Sequence, residues 1–301
     1  MSPSAQAALA CVLAGVAGAI VDTCPGSLVV EGYGNVSLVA AEWNTPNVSA
    51  AGVQALGGTA LPDMWGRAYM ADACTPGEYN NSDYLALRLL GKRLTYTTDV
   101  SRAGCGCNAA LYLVSMRQND DESGCFDYYC DANNVCGVRC VEIDIQESNK
   151  HAWHSTLHTA DDGAGVSAGY GGEVSNNSSY AFGPEAYGPG AGCVDTSQPF
   201  EVSVAFPVGP SGRLRGMEVI LSQRGSACDA RLFLGSYGED PSFEALSRAL
   251  EEGMTPVLSY WKSTDMLWLD GRGDGSAGPC AEDTAVCGAA PQFYGFRVES
   301  L

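Results

Sequence analysis

The stretch 140–149 constrains this chain more than any other, because it places three carboxylates within six residues and interleaves two isoleucines among them. Alternation of β-branched and polar residues at period two predicts a strand. Glu142 and Asp144 then share one face of that strand. Glu147 has the wrong parity to join them. We therefore predict a β-bulge near Ile145, which would bring Glu147 to the same face.

Three carboxylates on one face of a strand can be interpreted in two ways. One is a solvated acidic edge strand, whose charges block edge-to-edge aggregation. The other is a catalytic site, because burial and mutual repulsion raise the pKa of some carboxyl groups, as an acid and a nucleophile working as a pair require. A motif this short does not distinguish the two by itself.

Composition predicts an all-β chain with a neutral partner. The 301 residues are enough for one large β domain, and 37 glycines with only 17% charged residues favour many short strands joined by turns. The net charge of −19 disfavours nucleic acid and anionic membranes as partners. A neutral polymer such as a glucan is compatible with this charge, and the acidity is equally compatible with a simple role in solubility.

The N-terminus and the cysteines indicate secretion. The apolar run Ala7–Val21, too short to span a bilayer, contains a small-residue cleavage signal and predicts a signal peptide over 1–21. Removal of Cys11 would leave twelve of the 13 cysteines, an even number suited to disulfides outside the cell. Cysteine and histidine spacings typical of zinc do not occur, so we predict neither a metal site nor a cofactor. N-glycosylation sequons begin at Asn35, Asn47, Asn80, Asn176 and Asn177.

The remaining periodicity predicts one domain over 22–301, built of strands and one helix. The helix is expected over Ser242–Glu252, between Pro241 and Gly253. The Gly- and Ser-rich residues 159–192 are expected to form a loop. Strands are predicted at Leu28–Val30, Val36–Trp43, Leu94–Val100, Ala109–Met116, Phe200–Phe206, Arg213–Leu221, Val257–Trp261, Met266–Leu269 and Phe293–Val298.

Four motifs occur in an order that resembles a known family. They are C-G-C-N-A-A-L-Y-L-V-S-M from Cys105, Y-C-D from Tyr129, C-V-E-I-D-I-Q-E-S-N from Cys140 and M-L-W-L-D from Met266. Over residues 90–301 the chain resembles glycoside hydrolase family 7, the cellobiohydrolases and endoglucanases of fungi and protists. The resemblance implies a curved antiparallel β-sandwich of the concanavalin A-like jelly-roll type. It also implies retaining hydrolysis of β-1,4-glucan.

The resemblance assigns a role to each acidic residue of the motif. Glu142 would attack the anomeric carbon, and Glu147 would act as acid and then as base. Asp144 would orient the nucleophile. His158 follows Glu147 at the spacing at which the family carries a histidine near the acid/base residue.

Sugar-binding residues are also implied by the resemblance, since pyranose rings stack on aromatic faces. The expected platforms are Trp43, Trp261 and Trp268, and the expected hydrogen-bonding residues are Asn108, Tyr112 and Asn133. Trp65 and Trp153 have no matched role and are predicted to pack or to lie on the rim. His151 and His154 have no counterpart and are predicted to lie on the surface.

Two disulfides and an open cleft follow from the same comparison. The family pattern maps onto Cys130–Cys140 and Cys105–Cys280. Gln146 departs from the pattern, since it replaces a tryptophan of the catalytic strand. The chain has no cysteine between 140 and 193 and no arginine between 139 and 213, where tunnel-forming relatives carry roofing loops. We therefore predict an open cleft, internal cleavage and a monomer.

Three functions remain open on this evidence. The first is a retaining β-1,4-glucanase, which the M-L-W-L-D segment favours. The second is a β-1,3- or mixed-linkage glucanase of the related family in the same clan, whose E-x-D-x-x-E motif this strand also fits. The third is a glucan-binding or wall protein that has lost turnover, and the intact set of three carboxylates argues against it.

Overall fold

A computed structural model describes residues 23–41, 52–171, 179–180, 182–235, 240–273, 276–281 and 285–301. The predicted signal peptide, Trp43 and the sequons at Asn47, Asn176 and Asn177 lie outside the described residues. The sequon asparagines Asn35 and Asn80 are exposed. Within the described ranges, no helix has the length and apolarity that crossing a membrane requires.

The described chain is built mainly of strands. In chain order they are β1 (Gly26–Val30), β2 (Gly34–Ala41), β3 (Val53–Leu56), β4 (Thr59–Pro62), β5 (Gly66–Ala71), β6 (Lys92–Asp99), β7 (Cys107–Val114), β8 (Glu142–Ser148), β9 (Trp153–His158), β10 (Val166–Tyr170), β11 (Ser179–Tyr180), β12 (Tyr187–Gly188), β13 (Val194–Asp195), β14 (Phe200–Ala205), β15 (Met217–Ser222), β16 (Ala230–Leu234), β17 (Thr255–Lys262), β18 (Arg272–Gly273), β19 (Ser276–Ala277) and β20 (Gln292–Ser300). The helices are α1 (Asp240–Glu252) and α2 (Leu267–Asp270), with 3₁₀ turns at Asn81–Asp83 and Met116–Gln118.

Two large sheets form the architecture. The first has nine strands in the order β1-β2-β5-β17-β7-β8-β9-β10-β11, and the second has seven in the order β16-β15-β14-β6-β20-β4-β3. Neighbouring strands in both sheets are antiparallel except for the short β10–β11 pair. Strands β7 and β8 lie near the middle of the first sheet, so each is hydrogen-bonded to a neighbouring strand on both sides and its side chains are held in fixed positions.

Alternation along β7 gives the first sheet two different faces. Leu111 and Leu113 point into a core that also contains Tyr96 and Phe293 of the second sheet. Tyr112 and Val114 point the other way, into a separate cluster. Each such fully buried side chain contributes about 1.5–3 kcal/mol. The prediction of an all-β antiparallel sandwich is confirmed, and the outer face of its nine-stranded sheet remains available for a site.

The loop predicted over residues 159–192 is wrong in part. Strand β10 lies within it, pairs with β9 and is buried along its length. Gly169 has φ +147°, and a Cβ at this position would lie 1.9 Å from the carbonyl oxygen of Trp153. The small residues that look like a loop are therefore required by the close approach of two strands.

The strand predicted at Met266–Leu269 is also wrong, because Leu267–Asp270 form the short helix α2. The carboxylate of Asp270 is buried and accepts hydrogen bonds from the Gly106 N–H at 2.9 Å and from Asn149 Nδ2 at 2.6 Å. These partners are distant in sequence. These two hydrogen bonds stabilise the short helix, which local sequence propensity alone does not predict.

Six disulfides join the twelve cysteines of the described residues. Both pairs expected from the family pattern are present, with Cα–Cα distances of 5.5 Å for Cys130–Cys140 and 5.6 Å for Cys105–Cys280. The others are Cys24–Cys74, Cys107–Cys287, Cys125–Cys136 and Cys193–Cys228. The Cys130–Cys140 bond closes the loop that enters β8, immediately before the acidic motif.

Candidate active site

A β-bulge in β8 brings the three carboxylates to one face. Asp144 pairs with Tyr112 of β7 and Gln146 pairs with Leu111, so Ile145 has no partner opposite it. The same irregularity appears between β8 and β9, from Asp144 to Glu147. The predicted bulge near Ile145 is confirmed, and it reverses the parity of every residue that follows.

The outer face of the bulged strand lines a cleft of about 710 Å³. Glu142, Asp144 and Glu147 all line this cleft, while Ile145 and Gln146 point to the core side. Gln146 is fully buried there, and its side-chain Oε1 accepts a hydrogen bond from the Tyr96 hydroxyl at 2.9 Å. A glutamine in place of the family's tryptophan is therefore accommodated in the core.

Burial and mutual repulsion raise the pKa of all three carboxyl groups. Burial raises the pKa of Glu142 well above its ordinary value, and the neighbouring Asp144 raises it further. Burial and the charge of Asp131 raise the pKa of Asp144 to about 8. Burial and Asp144 raise the pKa of Glu147 to about 8, against the lowering effect of its hydrogen bond from Asn108. The protonated forms of Asp144 and Glu147 are therefore favoured at neutral pH, so an internal acid is available.

His158 lies opposite Glu142 on β9 and contacts Asp144. Its Nδ1–H donates to the carbonyl oxygen of Asp162 at 2.9 Å, so Nε2 faces the Asp144 carboxylate at 3.0 Å. The Asp144 carboxyl group and His158 are therefore within hydrogen-bonding distance of each other. The donor atoms of Glu142, Asp144 and His158 all lie within 4.8 Å of one another.

The other two carboxylates each have one backbone or amide donor. The Ala132 N–H donates to Glu142 Oε2 at 3.0 Å and holds the carboxylate in place. Asn108 Nδ2 donates to Glu147 Oε1 at 2.9 Å, and Asn108 Oδ1 accepts from the Ser148 N–H at 3.0 Å. Asn108 is fully buried. Its side chain is thus directed to Glu147, whereas the sequence comparison placed it against a sugar hydroxyl.

The surface position predicted for His154 is wrong. His154 is buried, lines the cleft and lies opposite Glu147 in the β8–β9 pair. Its ring meets the Trp268 ring edge-on at a centroid distance of 6.3 Å, and its Nε2–H donates to the carbonyl oxygen of Gly171. Burial lowers the pKa of His154, which favours the neutral ring. His154 and His158 alternate with buried Trp153 and Leu157, and this alternation was visible in the sequence; His151 is half-buried.

A buried arginine is a further residue that the sequence analysis missed. Arg67 of β5 lines the cleft, lies 3.9 Å from the centroid of the Tyr129 ring and pairs with Asp127 at 3.3 Å. The Tyr129 hydroxyl is hydrogen-bonded to the Tyr112 hydroxyl at 3.0 Å. This cluster forms the floor of the cleft beside Glu142. No motif pointed to Arg67, because its partners come from a distant loop.

The predicted sugar-binding residues fall into different places. Four of them line the cleft. Asn133 is exposed, Trp261 and Trp268 are half-buried, and Tyr112 is buried. Trp153 packs in the core against Tyr187 and Phe200, as predicted for a tryptophan without a matched role. Trp65 is half-buried.

Comparisons with known proteins agree with this fold and cleft. The sequence profile of glycosyl hydrolase family 7 matches residues 63–133. An endo-β-1,4-glucanase of Emericella nidulans is 28% identical over 86% of this chain and 73% of its own length. Endoglucanase EG-1 of Hypocrea jecorina is 31% identical over 71% of this chain, which spans half the length of that relative. The crystal structure of a family 7 cellobiohydrolase from Daphnia pulex superposes with a TM-score of 0.64 at 17% identity, covering 93% of this chain and 97% of that one.

An antiparallel β-sandwich with carboxylates on one wall of a cleft and tryptophans beside them is the architecture of a polysaccharide-hydrolase family. The matched profile, the endoglucanase relatives and the family 7 structures together support glycosyl hydrolase family 7 as the family that this chain resembles.

Proposed function

We propose that this protein is a retaining endo-β-1,4-glucanase. The observation that carries the proposal is the bulge at Ile145, which places Glu142, Asp144 and Glu147 on the same wall of the cleft. Raised pKa values in this group supply the protonated acid that glycosidic cleavage needs. Trp261 and Trp268 line the same cleft and offer stacking faces to glucosyl rings.

In the first step Glu142 attacks the anomeric carbon. A bond forms between a Glu142 carboxylate oxygen and C1, the bond from C1 to the leaving oxygen breaks, and Glu147 gives its proton to that oxygen. The Ala132 N–H holds Glu142 in position for the attack. The products of this step are a glycosyl-enzyme ester and the released glucan fragment.

In the second step water replaces the carboxylate. Glu147, now ionised, takes a proton from water while the water oxygen bonds to C1 and the ester bond to Glu142 breaks. The Asn108 amide donates to Glu147 and favours its ionised form. Two displacements at C1 return the original configuration, and the acid and the nucleophile both return to their starting states.

Asp144 and His158 act on the charge of this group and do not themselves bond to the sugar. Glu142 loses its negative charge when the ester forms and Glu147 gains one when its proton leaves. Asp144 interacts electrostatically with both carboxyl groups and is paired with His158. We propose that the two residues act in opposite directions: Asp144 raises the pKa of Glu147 and favours its protonated form, while His158 lowers the pKa of Glu142 and favours its ionised form.

The function is tested by product analysis on a panel of glucans. We expect reducing ends from carboxymethyl cellulose and none from a purely β-1,3 glucan, and proton NMR should show the β-anomer as the first product. A first product of α configuration would indicate inversion and would remove the nucleophile role of Glu142. Retention corresponds to carboxyl groups of Glu142 and Glu147 about 5–5.5 Å apart, and inversion to about 6.5–9.5 Å. Cleavage of the β-1,3 glucan alone would favour the related clan family, and no cleavage at all a binding protein.

We propose that the cleft is open and that the glucan chain is cleaved internally. The interval where tunnel-forming relatives carry roofing loops holds no cysteine between 140 and 193 to close a loop over the substrate. A glucan can then enter sideways. We expect the viscosity of carboxymethyl cellulose to fall rapidly while few reducing ends are released. Cellobiose as the sole early product, with nearly constant viscosity, would contradict internal cleavage.

The Cys130–Cys140 bond is expected to support both stability and catalysis. Replacing both cysteines with alanine should lower the free energy of unfolding by about 2–4 kcal/mol. It should also lower kcat, because the bond precedes Glu142 and closes the loop that carries Ala132. Tm and initial rates measure the two effects. Removing Cys193–Cys228, which joins residues outside the cleft lining, is the control: Tm should fall while kcat stays unchanged. Equal loss of kcat in both variants would refute the catalytic effect.

We further propose a secreted monomer whose single catalytic domain covers 22–301 after a signal peptide over 1–21. Six disulfides within the described residues support folding in an oxidising compartment. Its expected partner is the polysaccharide substrate.

A further inference from the structure

The loop closed by Cys125–Cys136 displays two apolar side chains to solvent. Phe126 is 73% exposed and Val135 is 56% exposed. The disulfide joins their immediate neighbours with a Cα–Cα distance of 5.4 Å, and the Gly124 N–H donates to the carbonyl oxygen of Cys136 at 2.6 Å. Phe126 and Val135 therefore project from the two ends of one cross-linked loop.

The backbone of this loop is strained at Phe126. Phe126 and Tyr128 both have φ +61°, a conformation that bulky residues rarely adopt. Backbone strain of this kind persists only where the surroundings impose it. An exposed phenylalanine gains little from burial in return. Packing of the Phe126 ring therefore does not explain why a phenylalanine occupies this strained position.

Asp127 is the residue that imposes this conformation. It is fully buried between Phe126 and Tyr128, and its carboxylate pairs with Arg67 at 3.3 Å and accepts from the Tyr69 hydroxyl at 2.6 Å. Its carbonyl oxygen accepts from the Tyr84 hydroxyl at 2.6 Å. Because Asp127 is anchored from several sides, the backbone at Phe126 is fixed and its side chain is left exposed.

The other end of the loop is fixed to the cleft. The Val135 N–H donates to the buried carboxylate of Asp131 at 2.9 Å, and Asn133 and Val135 both line the cleft. The Ala132 N–H in the same segment holds Glu142. Val135 therefore belongs to the cleft wall, in the segment that also holds Glu142, and Phe126 lies across the Cys125–Cys136 bond from it.

We propose that Phe126 and Val135 form an outer binding site for glucosyl units of the same β-glucan chain, beyond the sugar attacked by Glu142. This inference rests on the proposed function. A phenyl ring offers a flat apolar face to the C–H groups of a pyranose. Because the backbone at Phe126 is already fixed, only side-chain conformational entropy is lost when the sugar binds.

The test compares a long and a short substrate. Phe126→Ala is expected to lower kcat/KM for cellohexaose by about 3–10-fold, the range of one aromatic contact. The same variant should leave kcat/KM for β-cellobiosyl fluoride unchanged, because that substrate is too short to reach the loop. Phe126→Trp should restore the value for cellohexaose. Phe233→Ala is the matched control, since Phe233 is 48% exposed on β16 of the other sheet and should affect neither substrate.

Equal values of kcat/KM for cellohexaose in the wild type and Phe126→Ala would overturn the proposal. So would an equal loss on both substrates, which would indicate a general disturbance of the cleft. Calorimetric titration of cellohexaose into the Glu142→Ala form, with and without Phe126→Ala, measures binding without turnover. If the wild type cleaves neither substrate, the proposed function fails. The calorimetric comparison still tests the outer site in that case, because Phe126→Ala should raise the Kd for cellohexaose. An unchanged Kd, or no binding of cellohexaose at all, would refute the outer site.

Discussion

Replacing Glu142 with alanine is expected to lower kcat on carboxymethyl cellulose by about 10⁴-fold or more, because the first displacement then has no nucleophile. The Ala132 N–H holds the Glu142 carboxylate on the same cleft wall as Glu147. We expect no neighbouring carboxylate to take over the attack on C1 from this position. The fold should persist, since removing a buried carboxyl group with a raised pKa relieves an unfavourable desolvation. Initial rates and Tm measure the two effects.

Added azide identifies the role of the missing group. In Glu142→Ala a small anion can occupy the space of the carboxylate and attack C1 of an activated cellobioside once, giving an α-glycosyl azide. Replacing exposed Glu122 with alanine provides a control for loss of an acidic residue and should leave kcat unchanged. A β-glycosyl azide from Glu142→Ala would contradict the assignment, because that product requires the nucleophile to be intact.

Replacing Glu147 with glutamine is expected to lower kcat/KM for cellotetraose by about 10²–10⁴-fold, the usual contribution of a general acid. Hydrolysis of β-cellobiosyl fluoride should keep its kcat/KM, because fluoride leaves without strong protonation. The pKa of Glu147 is raised to about 8, so the required protonated form predominates below that pH and is lost above it. The wild type should therefore lose kcat/KM for cellotetraose above about pH 8, and the variant should lack this decline.

Asp144 provides a second check on the same group. Its charge raises the pKa of Glu147, so Asp144→Asn should lower that pKa and move the alkaline decline of kcat/KM to lower pH. A decline that stays in place, or moves to higher pH, would show that another residue supplies the proton. Equal losses on cellotetraose and the fluoride in Glu147→Gln would contradict its role as the acid.

The acidic motif could be interpreted from the sequence because strand parity is a local property. Successive side chains point to opposite faces, so the positions of Glu142, Asp144 and Glu147 required one extra residue for all three to meet. The structure places that residue at Ile145. Faces along β7 were predictable for the same reason, since its apolar residues alternate within a single strand.

Resemblance added what local pattern cannot supply. The Cys105–Cys280 bond spans a sequence separation of 175, and nothing in the spacing of the cysteines selects it over other pairings. The motif order supplied it. The pairs Cys24–Cys74 and Cys107–Cys287 had no such support and became known only from the structure.

Residue partners across strands were decided by the tertiary structure alone. His154 meets Glu147 only because of the register of β8 against β9, and Asn108 is turned to Glu147 by its position in β7. Arg67 becomes a cleft residue because Asp127, sixty positions later, is buried against it.

The chain's own periodicity thus determined which side chains of one strand share a face, because that depends on backbone geometry over a few residues. Tertiary packing explains why a small residue is needed at Gly169, where two strands approach closely. It also explains why the segment that ends at Asp270 forms a short helix. Burial, strand register and long-range hydrogen bonds arise only when distant segments meet, so no window of the sequence contains them.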